Sequence, residues 1–147
     1  MLSKLLNPVL AVVFGLGVLS VTACGTPDKP EDVATKFTQA FLSGDIDTAV
    51  TFTNLPPEAL KDEAQLNQAK GKVQQMTAAA KEKADQQGGV ASVTAKEVVE
   101  TDITTEADGT QRVKVQVELK TGDGTTVSDP VPLIKVPGSE EWKVSFF

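Results

Sequence analysis

The sequence predicts an α+β domain in which helices come first and pack on a four-stranded antiparallel sheet. Three observations support this prediction. Between residues 30 and 86, apolar side chains recur at the three- and four-residue spacing of helices. From residue 90 onward, apolar and charged side chains alternate, as in a sheet that covers a core with one face and meets water with the other. A run of helices followed by a run of strands is typical of the α+β class.

The first helix is predicted to begin at Pro30. Proline is tolerated in the first turn of a helix, and the carboxylates of Glu31 and Asp32 complement the helix dipole at that end. Gly44 is expected to end this helix. A short second helix should follow Asp45, whose side chain suits the N-cap position.

A long third helix is predicted from about Glu58 to Gln86. It lies between a proline-rich break at residues 54–57 and a glycine pair at residues 88–89. Its narrow apolar stripe could be the seam of a coiled coil, but the stripe is short and rich in alanine, so packing on the domain's own sheet is favoured. The stripe consists of Leu66, Ala69, Val73, Met76 and Ala80.

The first two strands are predicted on either side of a hairpin turn at Asp108-Gly109. The first runs from Val90 to Ile103 and turns its odd-numbered residues to one face. The second has the clearest alternation in the chain, because apolar residues alternate with charged or amide residues from Arg112 to Lys120. Its inward-facing residues are expected to be Val113, Val115, Val117 and Leu119.

The last two strands are predicted at residues 127–136 and 142–146, separated by a turn at Pro137-Gly138. The third strand contains Pro130 and Pro132. Proline cannot donate to a β-ladder, so these two residues predict a sheet edge or a bulge. The fourth strand should turn the side chains at 142, 144 and 146 to one face.

The first 23 residues have the features of a secretory signal. One positive charge at Lys4 precedes an apolar run from Leu5 to Val21, and small Thr22 and Ala23 follow. The run is about long enough to span a bilayer, so a retained transmembrane anchor is the alternative. The small residues directly before Cys24, the only cysteine in the chain, favour cleavage at that point.

The segment Val21-Thr22-Ala23-Cys24 resembles the lipobox of bacterial lipoproteins. The resemblance implies that Cys24 carries lipid and becomes the first mature residue; an intermolecular disulfide or a free thiol is the alternative. Two or three acyl chains would hold the chain stably at a membrane. Residues 1–23 would then be the signal peptide, 24–29 the lipidated cysteine with a short tether, and 30–147 a single domain.

The lipobox resemblance also implies a location in the bacterial cell envelope. Gly25 follows the cysteine where lipoproteins retained in the inner membrane of Gram-negative bacteria usually have aspartate. An outer-membrane location facing the periplasm is therefore expected. The formal net charge of −6 repels nucleic acid, and no block of Lys or Arg offsets it, so nucleic-acid binding is not expected.

The composition leaves few groups for catalysis. The chain has no histidine and no tyrosine, and its one thiol is assigned to lipid. The usual acid–base residues and nucleophile–base pairs are therefore missing. No His/Cys cluster suits zinc and no Asp-rich loop suits calcium, so neither a metal nor another cofactor is expected.

Several short motifs together suggest a known family. They are Pro30-Glu31 with Val33 and Phe37, Gly44-Asp45 with Ala49, Gly88-Gly89, the alternating valines from Val113, and Trp142-Lys143-Val144. With these motifs the domain resembles small bacterial envelope proteins of unknown function in the nuclear-transport-factor-2-like superfamily. The resemblance implies a curved, cone-like sheet under helices, often with an apolar cavity. Relatives in the wider superfamily include enzymes, binding modules and dimerisation domains, so no activity follows from the fold.

Two acidic residues, Glu97 and Asp129, fall on the apolar side of the strand alternation. An acid held in an apolar cavity can serve as a base, as in the ketosteroid-isomerase-like members of the superfamily. Those enzymes also use a tyrosine, which this chain lacks. The favoured alternative is a local shift of register, suggested near Asp129 by Pro130, that brings both acids to water.

Four large side chains are expected to line any cavity, namely Phe37, Phe41, Met76 and Trp142. For Trp142 an ordinary core position is the favoured alternative. The leading hypothesis is a non-catalytic module that binds a small apolar ligand or an envelope protein. The second is a lyase or isomerase that uses Glu97 or Asp129. The third is an assembly role, in which an apolar sheet face forms a homodimer.

Overall fold

Four helices precede the sheet in the computed structural model, which describes residues 29–146. They are α1 (Pro30–Ser43), α2 (Ile46–Thr51), α3 (Pro57–Lys61) and α4 (Glu63–Gln86). Helix α1 begins and ends as predicted, because Gly44 adopts the left-handed conformation at φ 80° that closes the helix. None of these helices combines the length and the apolar character that a membrane crossing needs.

The long helix predicted from Glu58 is in fact two helices that meet at Asp62. The backbone of Asp62 is extended, and its carboxylate accepts hydrogen bonds from the N–H groups of Ala64 (2.9 Å) and Gln65 (3.2 Å). Asp62 therefore caps α4, and the chain before it forms the separate short helix α3. The prediction placed the start of the long helix too early because it relied on apolar spacing and missed this cap.

Within the described residues the sheet has five strands, all antiparallel to their neighbours: β1 (Val90–Ala95), β2 (Thr104–Thr105), β3 (Gln111–Thr121), β4 (Thr126–Lys135) and β5 (Lys143–Val144). Their order is β1-β3-β4-β5, and β2 also pairs with β3. The first predicted strand is thus divided into β1 and β2, which leaves four strand positions. The predicted α+β class is confirmed, and the sheet curls around the helices.

The free edge of β4 explains the two prolines within it. Strand β4 pairs with β3 along its whole length, but with β5 only at Leu133 and Ile134. The carbonyl of Pro132 accepts a hydrogen bond from the N–H of Ser145 (2.8 Å), so its polar backbone groups point away from β3. Pro130 lies two residues earlier on the strand, so its polar backbone groups also point away from β3. The missing N–H groups therefore cost no bond to β3, and the predicted edge position is confirmed.

A contact between glycines joins the end of α4 to the hairpin between β3 and β4. Gly88 and Gly89 both have positive φ angles, 88° and 79°. The N–H of Gly122 donates to the Gly89 carbonyl (2.9 Å), and the N–H of Asp123 donates to the Gln87 carbonyl (2.9 Å). A Cβ atom on Gly122 would overlap the Gly88 carbonyl. We call this contact the glycine clasp.

A second set of backbone bonds joins the other end of the sheet to the helical layer. The N–H of Val144 donates to the Phe52 carbonyl (2.7 Å), and the N–H of Asn54 donates to the Val144 carbonyl (2.9 Å). The main core lies between these two connections, under α1, α2 and α4. Its buried side chains include Val33, Phe37, Ala49, Val50, Val73, Val113, Val115, Leu133, Trp142 and Val144.

Candidate functional site

A pocket of about 320 Å³ opens between the helices and the inner face of the sheet. Its helical wall comes from the second half of α1 and the last two turns of α4. Phe37, Phe41 and Leu42 line it from α1, while Ala80 and Ala84 line it from α4. The two alanines lie four residues apart on one face of the helix, and their small side chains leave room between α4 and the sheet.

The opposite wall is formed by β3 and β4 near the hairpin. Val117 and Leu119 line the pocket from β3, and Val127 and Val131 line it from β4. These side chains lie on one face because inward positions alternate along each strand and the two strands are in register, with Leu119 opposite Val127. The sheet wall is therefore entirely aliphatic apart from Asp129.

Two opposite charges lie at the opening. Lys83 on α4 and Asp129 on β4 both line the pocket, and both side chains are exposed. Within residues 29–146, neither makes a hydrogen bond or an ion pair. The remaining polar lining comes from Thr38 and Gln87, which are partly buried. The pocket is thus apolar inside and charged at its rim.

Two aromatic rings of the pocket wall, Phe37 and Phe41, pack together with a third ring, Phe146, that lies outside the lining. The ring centroids of Phe37 and Phe41 are 5.6 Å apart, and Phe146 approaches them at 5.7 and 6.3 Å with tilted, edge-on geometry. These separations are typical of favourable aromatic pairs. Phe146 is held there because the N–H of Ser145 bonds to Pro132 and keeps the last residues beside β4.

Of the four side chains predicted to line a cavity, Phe37 and Phe41 line this pocket and Met76 does not. Met76 is 51% exposed and lies beside a separate shallow depression with Lys72 and Phe146. The prediction followed a strict heptad, but a straight helix drifts by about 20° per heptad from that repeat. After Val73 the next buried position is therefore Thr77.

Trp142 also lies outside the pocket. It is 6% exposed and belongs to the main core, near the end of the sheet where Leu133 pairs with Val144. The Lys135 amine lies 5.2 Å from the centre of its ring, within the range of a cation–π contact. The core alternative for Trp142 is therefore the one that the structure supports.

Glu97 is exposed and does not line the pocket, so the structure supports the favoured alternative, in which this acid reaches water, over a buried acid. Strand β1 ends at Ala95, and the strict alternation ends with it. Val98 packs against the core, where the alternation had placed Glu97 and Val99. Val99 is 54% exposed, and its N–H donates to the Asp102 carboxylate (3.1 Å) in a tight turn. The strand breaks here, which reverses the facing of the residues after it.

Asp129 occupies the inward-facing position that was predicted, opposite Val117. Its side chain is nevertheless exposed, because it stands at the rim and not within the pocket. Asp129 is therefore not a buried acid either. The alternation placed Asp129 on the correct face of the strand. It could not show that the pocket opens to water beside this residue.

Lys83 and the small alanines of α4 were not predicted as site residues. The spacing of Ala80 and Ala84 marks one helical face, but it does not show which strand that face covers. Lys83 is a charged residue on an exposed helix and looks like ordinary solvated surface in the sequence. Only the position of α4, fixed by the glycine clasp, brings these residues opposite β4.

The described lining holds few groups with acid–base or nucleophilic chemistry. The described residues 29–146 contain no cysteine or histidine, and no group of three or more His, Cys, Asp or Glu residues there could hold a metal ion. Among the described residues of the lining, Thr38 has the only hydroxyl group. An apolar interior with a few polar groups at its opening is the usual form of a small-molecule site.

Helices over a curled antiparallel sheet, with a pocket between the layers, define the NTF2-like class of α+β domains. A crystal structure from Campylobacter jejuni, described as a "putative NTF2-like transpeptidase", is similar to this chain with a TM-score of 0.60 and 25% sequence identity, covering 82% of this chain and 100% of that one. Residues 22–145 match the family described as Domain of unknown function (DUF4878), and the chain belongs to this family. No curated protein matches the sequence.

Proposed function

We propose that this chain is a membrane-anchored lipoprotein of the bacterial envelope, and that its domain is a non-catalytic module that binds a small apolar ligand. The observation that carries the binding proposal is the pocket of about 320 Å³, which has aromatic and aliphatic walls and an open rim. Its volume lies at the lower end of the range for ligand sites. Apolar surface left open to water in this way is stabilised when a ligand covers it.

The anchoring proposal depends on the first 24 residues, which lie outside the described part of the chain. The signal-like run, the small residues before Cys24 and the absence of a second cysteine support it. The tether at residues 24–29 could extend at most about 20 Å at 3.3–3.6 Å per residue, so the domain would stay near the membrane. Gly25 after the cysteine supports an outer-membrane destination facing the periplasm.

A catalytic role is less well supported by the pocket. An isomerase or lyase needs a base within reach of its substrate and a separate donor for the developing oxyanion. Glu97 lies outside the pocket and Asp129 stands exposed at its rim. The similar protein from Campylobacter jejuni is described as a transpeptidase, but acyl transfer needs an activated nucleophile, and Thr38 has the only hydroxyl in the described lining. We therefore infer from this similar protein the fold of the chain and not a transpeptidase activity.

An assembly role through an apolar sheet face is also less well supported. The outward-facing residues of β3 are polar or charged along its length: Arg112, Lys114, Gln116, Glu118 and Lys120. A large exposed apolar patch, which would favour a dimer formed through this face, is not found on β3.

Blocking the pocket tests the binding proposal. The Ala80→Trp substitution puts a large ring into the pocket, while Ala79→Trp puts the same ring on the exposed neighbouring position of α4. We expect a small apolar molecule to co-purify with the full-length protein and with Ala79→Trp, and to be lost from Ala80→Trp, as measured by native mass spectrometry. The same bound molecules in both variants, or none in the wild type, would contradict the proposal.

The Cys24→Ala substitution tests the anchor. Metabolic labelling with a fatty-acid analogue should mark the wild-type protein and a Gly25→Ala control, because both keep the thiol, and should not mark the alanine variant. Membrane fractionation should then find wild-type protein in the outer membrane. Equal labelling of wild type and Cys24→Ala would contradict lipidation, and recovery with the inner membrane would contradict the proposed destination.

A further inference from the structure

We infer that the ligand of the pocket is a single-chain amphiphile with a zwitterionic head group. Its hydrocarbon chain lies between α4 and the sheet, and its head group lies between Lys83 and Asp129. This inference rests on the proposed binding function and specifies the ligand for the same site. Three features carry it: the small volume of the pocket, the scarcity of polar groups in its interior, and two opposite charges at its rim that have no ion-pair partner among residues 29–146.

The pocket is small, and its lining follows strand β4 and helix α4. Its lining on β4 extends from Val127 to Val131, about 13 Å at 3.3 Å per residue. On α4 it extends from Ala80 to Gln87, about 10 Å at 1.5 Å per residue. The volume of about 320 Å³ is at the lower end of the range for ligand sites. It therefore favours one hydrocarbon chain over two chains or a fused ring system.

The interior suits a hydrocarbon chain and not a peptide. Apart from Thr38 and Gln87, the lining away from the rim consists of aromatic, aliphatic and alanine side chains. A peptide in this space would bury amide groups without partners, and each such group carries a substantial desolvation penalty. A methylene chain has no polar groups to satisfy and gains from every carbon that it buries.

The rim suits a head group that carries both charges. Lys83 and Asp129 stand on two different walls, α4 and β4, and within residues 29–146 neither has an ion-pair partner. The nearby Lys81 amine, by contrast, is paired with the Asp85 carboxylate at 2.7 Å. A purely anionic head would be attracted by Lys83 and repelled by Asp129, and a cationic head the reverse. A zwitterion places its anion by the lysine and its cation by the aspartate.

A phospholipid that has lost one of its two acyl chains has this chemistry. It carries one hydrocarbon chain, and its phosphate and ammonium groups are adjacent in the head group. A domain held near a membrane by the proposed tether at residues 24–29 would meet such molecules at their source. We therefore take a membrane-derived single-chain phospholipid as the occupant, in preference to a soluble metabolite.

The test uses the full-length protein in its own membranes and photoactivatable amphiphiles that share one dodecyl chain. The zwitterionic probe is a phosphocholine, and the matched probes have neutral maltoside, anionic sulfate or cationic trimethylammonium heads. Labelling is measured against probe concentration, and the crosslinked peptides are identified by mass spectrometry. We expect crosslinks in α1, α4 and β4, strongest for the phosphocholine, and at least a tenfold loss in Ala80→Trp compared with Ala79→Trp.

Substitutions at the rim give a crossed pattern that only the charge assignment predicts. Lys83→Gln and Asp129→Asn should each weaken phosphocholine labelling about threefold, the range of an exposed ion pair. Lys83→Gln should weaken sulfate labelling and strengthen trimethylammonium labelling, and Asp129→Asn should do the opposite. Equal labelling by phosphocholine and maltoside, with no effect of either variant, would overturn the inference and leave the binding module standing, provided that Ala80→Trp still loses both. Undiminished labelling of Ala80→Trp would overturn both.

Discussion

The two ends of the sheet meet the helical layer in different ways. At the end where β5 pairs with β4, Trp142, Leu133 and Val144 are buried, and backbone bonds from Val144 join β5 to the segment after α2. At the hairpin end, Ala80 and Ala84 face the valines of β4 across an open pocket. One sheet and one pair of helices thus produce a filled end and an open end. At the open end, the small side chains of Ala80 and Ala84 on α4 leave space between the two layers.

We expect the closed end to contribute most to stability, and the proposed ligand binding belongs to the open end. At the closed end, Leu133 and Val144 are among the largest fully buried side chains of residues 29–146, and Trp142 is buried beside them. The open end is held in shape by the glycine clasp and the aromatic cluster around Phe37. Substitutions at the two ends should therefore separate in their effects on unfolding and on ligand binding.

The largest effect is expected at the closed end. Trp142→Ala removes a buried ring and should lower the free energy of unfolding by about 3–5 kcal/mol. Denaturant unfolding followed by circular dichroism measures the loss. Met76→Ala is the control, because that side chain is half exposed and should change the midpoint little. Similar midpoints for wild type and Trp142→Ala would place the ring outside the core and remove the contrast between the two ends.

The next effect is expected at the glycine clasp. A methyl group on Gly122 would overlap the Gly88 carbonyl, so Gly122→Ala should cost about 1–3 kcal/mol of stability and displace the hairpin from α4. Because this contact sets the distance between the two pocket walls, binding should weaken as well, which distinguishes it from Trp142→Ala. Nothing lies within 4 Å of a Cβ atom on Gly71 in α4, so Gly71→Ala should instead stabilise the domain by about 0.5–1 kcal/mol. Denaturation curves measured side by side should show a lower free energy of unfolding for Gly122→Ala and a higher one for Gly71→Ala.

A smaller change in stability is expected at Thr77, which lies on α4. Thr77 is buried, and its hydroxyl has no hydrogen-bond partner within the described residues. Thr77→Val replaces that hydroxyl with a methyl group of similar size, so it should raise the free energy of unfolding by about 1 kcal/mol. Thermal unfolding measures the gain. A loss of stability instead would show that the hydroxyl has a partner and that the helix is rotated from the position described.

The smallest effect is the loss of stability at acidic pH. Hydrogen bonds from the N–H and the side chain of Gln65 lower the pKa of Asp62, and the N–H of Thr125 with the hydroxyl of Thr121 lowers that of Asp123. A lowered folded-state pKa means that this stabilisation is complete above the ordinary value of 3.8 and is lost as the pH falls through the folded value. The free energy of unfolding should therefore fall below about pH 4.

Asparagine variants separate the two ends in this acid range. Asp62→Asn removes the titrating carboxylate at the start of α4 but keeps a good N-cap. Asp123→Asn removes the titrating carboxylate in the hairpin beside the pocket and keeps an oxygen that can accept from the N–H of Thr125. Each should flatten the fall in stability between pH 4 and 2 while changing stability at pH 7 little. Unchanged pH dependence in both variants would assign the acid sensitivity to other groups.

The sequence was sufficient where local chemistry determines the structure. Pro30 and Gly44 mark the ends of α1, and the prolines of β4 mark the sheet edge, because each residue restricts the backbone by itself. The sequence misled where tertiary packing decides. The heptad assigned Met76 to the core, but the straight helix buries Thr77, and the first strand breaks after Ala95.

The pocket was predictable only in part, for a similar reason. Phe37 and Phe41 could be named because large aromatic side chains on the inner face of a helix must cover something. Lys83 and Ala80 could not, since their role depends on which strand lies opposite α4. That placement is set by a backbone contact between Gly88 and Gly122, two residues far apart in the chain.

The outer edge of β4 has a consequence for crowded conditions. An added strand needs both donors and acceptors along the edge that it joins. Here Pro130 offers a carbonyl group without an N–H group, and the Pro132 carbonyl is already bonded to the N–H of Ser145. The edge therefore makes a poor template for another copy of the chain. Under the proposed anchoring, many copies share one membrane surface with their domains close together. Pro130 on the free part of this edge would then disfavour strand pairing between neighbouring molecules.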